Sequence, residues 1–507
     1  MKKSVLLIHP PIAKPGEPPA GIARLKGTLS RYNIPCQCID ANLEGQLFLL
    51  NQPVEAEDTW TKQASAKLHS HLKEMKTGSA FTSIGHYNRI VRDLNRILQL
   101  QGSQAGYRLN LADCGHQKLS TARSEDLIQC TKKPEKNPFS EYYHSTLLPK
   151  IDAIQPGVIG LSVNFLSQAF CAFTLIGLLR KQFPDVILCM GGGLVTSWMR
   201  NGNWDDPFAG LIDHCIAGPG EAFFVSLCAQ KDLLPEYTPP DYSDLVSLPY
   251  LSPGFVLPYN TSSGCFWRQC SFCPERAEEN PYLPIRQEQV IQDLESLIEA
   301  HHPSLIHFLD NALAPSFLKK WIDSKQNTPW YGYIRFSEEF VDPQLCSGLR
   351  SSGCVMLKLG LESGDPEVLK HMNKGIELSV VSKILTNLKE AGIAAFVYLL
   401  FGTPYETEPE AVKTLSFVKQ HHNAIDYINP AIFNMPITGE EALTYVTHPF
   451  SKGDLSLYTD FSHPKGWDRS NVRYFLDRVF KRDPQIGRIL RRTPKIFTSN
   501  HAPFFHS

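Results

Sequence analysis

The sequence predicts an α/β protein built from two parallel-sheet units, a doubly wound domain followed by a partial (β/α)6 barrel. Short continuous apolar runs, the mark of strands buried on both faces, alternate with helical periodicity along most of the 507 residues. A stretch rich in proline and turn residues, LLPEYTPPDYSDLVSLPYLSPG at 233 to 254, interrupts that rhythm. Beyond it the alternation resumes with six strand-like runs, short of the eight that close a barrel.

In chain order, SVLLIHPP reads as a strand, IARLKGTLSRY as a helix with Ile22, Leu25 and Leu29 on its apolar face, and PCQCIDAN as a second strand. The pattern returns with the strand VIGLSVNF, the helix CAFTLIGLLRKQF, and the strands VILCMGGG and LIDHCIAG. This assigns residues 1–235 to the doubly wound domain, broken at about 52–150 by a polar insertion with helical patterning, as in HYNRIVRDLNRILQL. Residues 236–254 read as a linker. The barrel, 255–440, holds the strands VLPYNTSS, LIHFLD, WYGYIRF, VMLKLGLE, AAFVYLLFG and IDYINPAIF. Between them lie the helices IRQEQVIQDLESLIEAHH, PSFLKKWIDSK, DPQLCSGLRSS, LSVVSKILTNLKEAG and EAVKTLSFVKQ. Residues 441–507 form a C-terminal helical extension containing SNVRYFLDRVFKRD and ending in TSNHAPFFHS, an aromatic tail expected to pack on the barrel or cover a pocket.

Composition narrows the function classes. Apolar residues make up 42% and charged residues 20%, as in an ordinary globular protein. A formal net charge of −1 gives no electrostatic basis for nucleic acid or an anionic membrane as partner. The apolar run after Lys2 and Lys3 is too short for a signal-peptide core, and no run of about 18 apolar residues occurs. The thirteen cysteines are odd in number and mostly scattered through apolar segments, which fits a reducing, cytoplasmic setting rather than a disulfide framework.

Only Cys265, Cys270 and Cys273 cluster, in SSGCFWRQCSFC with C-x4-C-x2-C spacing. A structural zinc site wants four ligands, and Cys346 and Cys354 could complete the set. Both fall in DPQLCSGLRSSGCVML, where they also read as core residues of a helix and the next strand. A cubane iron–sulfur cluster held by three thiolates is the other option, and it leaves one iron open for a small molecule. In sheets of this kind ligands sit at the C-terminal ends of the strands. The cysteines follow the first barrel strand, Asp310 ends the second, Arg335 the third, Glu362 the fourth and Gly402 the fifth.

Here the chain resembles the radical S-adenosylmethionine (SAM) superfamily, whose usual signature is C-x3-C-x2-C with an aromatic before the last cysteine. Phe272 holds that aromatic place, and the first spacing has one extra residue. The form GCFWRQCSFC, reached through PDYSDLVSLPYLSP, is similar to a subgroup of radical SAM proteins with a cobalamin domain. GLESGDPEVLKHMNKG, 360–375, resembles the superfamily's fourth-strand segment, and LKEAGIAAFVYLLFGTPYET its fifth strand and GxPxET turn. VLLIHPP, GGGLVT and the GPGE of 218–221 resemble the cobalamin-binding-type domain.

The resemblance implies an N-terminal Rossmann-like cobalamin-binding-type domain followed by a partial (β/α)6 radical SAM barrel. It implies a 4Fe–4S cluster on Cys265, Cys270 and Cys273, with SAM chelating the fourth iron. It places Phe272, Asp310, Arg335, Glu362 and Gly402 around that cofactor pair, Glu362 as a SAM contact and Arg335 as a partner for the SAM carboxylate. Asp310 and Asn311 stand where other members carry a GGE-like element. Gly191, Gly192, Gly193, Gly220 and Glu221 are the corresponding candidates for cobalamin. His9 lacks the aspartate of the D-x-H-x-x-G motif, so cobalamin is expected to bind without it as a ligand.

Plainer readings stand beside these: Glu362 as a capping carboxylate, Arg335 as an ion-pair partner of Glu338 or Glu339, and the three glycines as a turn. The expected activity is a cobalamin-dependent methyltransferase acting on an unactivated carbon or phosphorus. The alternatives are a radical SAM rearrangement, cyclisation or oxidation without cobalamin, and a non-catalytic iron–sulfur or zinc protein. The resemblance also implies a small-molecule or peptide substrate and an electron donor such as flavodoxin or ferredoxin.

Overall fold

The computed structural model describes residues 3–55, 58–202, 204–229, 235–494 and 502–505. The chain divides into two units, one of Met1–Ala80, Gly85–Pro253 and Ser451–Leu457, the other of Phe81–Ile84, Gly254–Phe450 and Tyr458–Ser507.

The first unit is organised by five parallel strands, Val5–Ile8, Cys36–Ile39, Val158–Ser162, Ile187–Gly191 and His214–Cys215. In space the second strand lies outside the first, and the third to fifth follow on the other side. The strand order therefore reverses between Val5–Ile8 and Val158–Ser162, and the crevice beyond their C-terminal ends is where such sheets take ligands. The first strand and Leu166–Gln182 supply much of the core, with Leu6, Ile8, Ala169 and Phe173 fully buried. The last strand is shorter than LIDHCIAG predicts. There the Asp213 carboxylate accepts from the Leu188 N–H at 2.7 Å, so a side chain stands in for a ladder bond.

The insertion is only partly helical. Long helices span Thr59–Thr77 and Ile84–Ser103, but Tyr107–Leu109 and Cys114–His116 form an antiparallel hairpin. Its turn is set by Asn110, whose side chain accepts from the Ala112 N–H at 2.9 Å, a local bond that competes with helix. The stretch read as a linker packs against the first unit: Asp244 accepts from Lys26 Nζ at 2.7 Å and from the Cys38 N–H at 2.8 Å, and Tyr250 donates to Asp40 at 2.9 Å. Its Leu233 and Leu234 lie outside the described residues.

In the second unit, six parallel strands pair in strict chain order: Val256–Tyr259, Leu305–Phe308, Trp330–Ile334, Cys354–Glu362, Ala394–Phe401 and Tyr427–Ile432. Among the described residues the first and last strands do not pair, so the barrel is open. Helices Gln287–His301, Pro315–Asp323, Pro343–Ser351, Leu378–Glu390 and Glu408–Gln420 follow the first five strands. Cys346 and Cys354 are buried core residues of a helix and a strand. The C-terminal extension is not purely helical, since its Thr447–Pro449 and Tyr458–Phe461 form a small antiparallel sheet with Met435–Pro436. In the aromatic tail, Phe505 packs on Tyr427 with ring centroids 5.7 Å apart and Phe504 on Phe81 at 5.3 Å. Its His501, His506 and Ser507 lie outside the described residues. Among the described residues no helix is long and apolar enough to cross a membrane.

Candidate active site

The cysteine loop starts where the first barrel strand ends, and Asp310 fixes its origin. That carboxylate, 1% exposed, accepts from the Thr261 N–H at 2.9 Å, the Thr261 hydroxyl at 2.7 Å and the Ser262 hydroxyl at 2.7 Å. Its oxygens thus anchor the loop. Gly264 has φ +74°, and a Cβ there would lie 2.3 Å from the Pro281 carbonyl oxygen, so only glycine fits. Within the longer first cysteine spacing, Arg268 takes a left-handed conformation at φ +50°.

Cys270 is buried, and Cys265 and Cys273 are half-buried. Burial raises the Cys270 thiol above its ordinary range, opposed by the charges of Lys374 and Arg335. Burial pushes Cys273 up to about 11, opposed by the backbone N–H groups of Glu275 and Arg276. Among the described residues no three His, Cys, Asp or Glu side chains converge on a single metal ion. A cubane instead needs three soft thiolates spread around one cage, and the surroundings of this loop suit a cluster of net negative charge.

Arg335 supplies part of that setting. Its guanidinium lies 3.8 Å from Cys270 Sγ, stacks 4.1 Å above the Trp267 ring and donates to the Lys374 carbonyl. Among the described residues Arg335 makes no ion pair with Glu338 or Glu339. Glu362 ends the fourth strand at φ +67°, beside a register shift, and accepts from Lys374 Nζ at 2.7 Å. The capping role falls to Asp365, which accepts from the Val368 N–H at 2.9 Å at the start of Pro366–His371. Phe272 lies with its ring centroid 5.5 Å from Lys374 Nζ.

Gly402, at φ +79°, donates its N–H to Glu406 at 2.6 Å, and a Cβ there would lie 2.9 Å from Val472. Among the described residues, Ser271 Oγ, Thr403 Oγ1 and Glu406 Oε1 are buried without a hydrogen-bond partner. All three sit on loops beyond the C-terminal ends of barrel strands. Orphaned polar atoms are rare in native interiors. Unpaired polar atoms on these loops fit a polar ligand such as SAM.

Burial pushes Glu406 up to about 8, against an ordinary value of 4.5. The folded protein then holds this proton to a higher pH than the unfolded chain does, so stability falls as pH rises from about 4.5 to about 8. Glu406→Gln keeps an acceptor for Gly402 and removes the buried charge. Its thermal midpoint is expected to exceed the parent's at pH 9 and to converge with it toward pH 5. Equal gaps at both pH values would refute the assignment.

In the first unit, Gly191, Gly192 and Gly193 form the turn from the fourth strand into Gly193–Arg200. Gly192 has φ +108°, and a Cβ there would lie 2.6 Å from the Val163 carbonyl oxygen, so its glycine serves the turn itself. The Gly193 N–H donates to Asn164 at 3.0 Å. Gly220 packs near Leu25, and Glu221 pairs with Arg24 at 3.2 Å. Beside the turn, Phe165 and Leu166 are 56% and 40% exposed at the C-terminal edge of the sheet. His9 is buried with Gln168 Nε2 at 3.4 Å from its ring, and desolvation pushes it down to about 4.

Residues 259–418 match the radical SAM superfamily. The chain contains a radical SAM domain. A radical SAM domain works with a 4Fe–4S cluster and SAM, and the three-cysteine loop and polar rim described above fit both. Over 197 residues the chain is 26% identical to a bacteriochlorophyllide d C-12(1)-methyltransferase of Chlorobaculum tepidum, covering 36% of this chain and 42% of that one. Over 310 residues it is 24% identical to an uncharacterized methyltransferase of Pyrococcus horikoshii, covering 53% and 65%. The chain thus spans less than two thirds of either curated relative. Among solved structures, the cobalamin-dependent radical SAM enzyme OxsB with aqua-cobalamin aligns with a TM-score of 0.60 at 13% identity, over 94% of this chain and 66% of that one. The radical SAM methyltransferase TsrM from Kitasatospora setae, with cobalamin and a 4Fe–4S cluster, aligns at 0.51 with 15% identity, over 86% and 76%. The fold is therefore the two-unit α/β fold of cobalamin-dependent radical SAM enzymes.

Residues 372–375 carry the part of the site that sequence reasoning missed. Met372 O accepts from the Ser271 N–H at 3.0 Å, Asn373 O from the Trp267 indole at 3.1 Å and Lys374 O from Arg335. The signal was present as MNKG within the fourth-strand segment.

Proposed function

We propose that this protein is a cobalamin-dependent radical SAM methyltransferase acting on an unactivated carbon or phosphorus of a small molecule or peptide. The observation that carries the reading is a three-cysteine loop at the mouth of an open parallel barrel, with Arg335 and Glu362 beside it. Bound there, the cluster and SAM would supply a deoxyadenosyl radical, and cobalamin the methyl group.

The protein's part is to hold and shield. Cys265, Cys270 and Cys273 hold the cluster, and Asp310 sets where their loop begins. Arg335 places positive charge at Cys270 and can meet a carboxylate. Glu362 can accept from an ammonium or a hydroxyl. In the first unit, exposed Phe165 and Leu166 beside Gly193 offer an apolar rim for a broad, flat macrocycle at the sheet's ligand edge. A one-electron donor such as flavodoxin or ferredoxin completes the cycle, in a cytoplasmic setting.

The test is anaerobic reconstitution with iron, sulfide and hydroxocobalamin, followed by desalting and by iron and cobalt analysis of one sample. About four irons and one cobalt per chain are expected. Iron without cobalt would refute the methyltransferase reading and favour a rearrangement, cyclisation or oxidation. His9→Gln is expected to keep full cobalt, because His9 is buried against Gln168 and lacks the aspartate that would orient a ligating imidazole. Loss of cobalt in that variant would overturn this assignment.

A further inference from the structure

Lys374 lies inside the site, paired with Glu362. Its ammonium and the Glu362 carboxylate are 2.7 Å apart, with side chains only 8% and 11% exposed. Gly360 makes room for the pair: a Cβ there would lie 2.4 Å from Glu362 Oε1 and 2.7 Å from Lys374 Nζ. Lys374 Nζ occupies Oε1 and leaves Glu362 Oε2 without a hydrogen-bond partner among the described residues. Glu362 itself stands at φ +67° beside the register shift of its strand, where the ladder is interrupted. The lysine's own backbone is fixed by Arg335, and the neighbouring Asn373 by Trp267.

We infer that Lys374 is the positioning residue for SAM recognition: it clamps one oxygen of Glu362 so that the other is presented to the SAM ammonium or ribose. This rests on the SAM reading of the site given above. A buried carboxylate needs a partner before ligand arrives, and a single-point clamp on one oxygen leaves the second available. Bracing Lys374 through its carbonyl on Arg335, which also touches Cys270, ties the carboxylate's position to the cluster loop.

The experiment measures equilibrium binding of SAM to the full chain with reconstituted, oxidised cluster, together with iron content and the electron paramagnetic resonance spectrum of the reduced cluster with and without SAM. Lys374→Met is expected to keep its iron but bind SAM about tenfold more weakly, the scale of one lost charge-assisted hydrogen bond. Its reduced-cluster spectrum should respond to SAM only at correspondingly higher concentration. Lys374→Arg should recover most of the affinity. The double variant Lys374→Met with Glu362→Gln should bind no more weakly than Glu362→Gln alone, because the lysine acts only through that carboxylate.

Parental affinity in Lys374→Met, or fully additive losses in the double variant, would overturn the inference. So would equal iron loss in the Met and Arg variants, which would make the residue a structural support of the loop. If the parent chain with full cluster bound no SAM, or Glu362→Gln bound it normally, the SAM reading itself would fall, and the inference with it.

Discussion

Cys270→Ala protein, reconstituted without oxygen, is expected to lose most of its iron and all measurable release of methionine and deoxyadenosine from SAM. Cys270 is the most enclosed of the three sulfurs, touched by Arg335 at 3.8 Å and facing the charge of Lys374. Two thiolates do not retain a cubane cluster of about four irons, and removing the third also leaves Arg335 beside an apolar methyl group in a desolvated pocket. Iron analysis and product chromatography on parent and variant give the answer. Parental iron in Cys270→Ala would end the cluster assignment.

Gly375→Ala should do nearly as much damage without touching a ligand. Gly375 sits at φ +65°, and a Cβ there would fall 2.2 Å from Trp267 Cζ2. The left-handed conformation costs alanine roughly 1 kcal/mol, and the overlap with a rigid indole adds a strain of about 1–3 kcal/mol. The ring must leave the Arg335 face and the Asn373 carbonyl, so the loop between Cys265 and Cys270 loses its inner wall. A lower thermal midpoint and faster loss of iron in air are expected. Removing the ring as well, in Gly375→Ala with Trp267→Ala, should restore much of the midpoint by relieving the overlap. Unchanged iron retention in Gly375→Ala would show that Trp267 does not wall the loop.

The parts of this protein legible in the sequence were those written in short-range pattern. Six apolar runs placed six barrel strands, because a strand buried on both faces leaves little choice of residue. The cysteine spacing and the strand-end positions of Asp310, Arg335 and Glu362 followed from the same regularity. What was not legible depends on contacts between segments far apart in the chain. No local signal says that Arg335 meets Cys270, 65 residues away, rather than Glu338 or Glu339 next door. The hairpin at Tyr107–Leu109 and Cys114–His116 was hidden by the strong helical periodicity preceding it, and LIDHCIAG looked longer as a strand than it is because an aspartate side chain replaces part of the ladder. Lys374 was not legible as a site residue, since a lysine in a polar loop is ordinarily a solvated one.

The short segment Ser451–Leu457 belongs to the first unit although the chain on both sides of it belongs to the second. There the Asp454 carboxylate accepts from the Ser124 N–H at 2.9 Å, the Leu455 N–H donates to the Ala122 carbonyl at 2.9 Å, and a Cβ at Gly453 would fall 2.1 Å from that same oxygen. Phe81–Ile84 makes the reverse excursion. The boundary at Pro253 is therefore not a place where one scissile cut, one gene fusion or one recombination event separates two self-sufficient modules. A fragment ending at Pro253 would forfeit the strip that lines Ala122 to Ser124, and a fragment beginning at Gly254 would carry that strip with nothing to receive it.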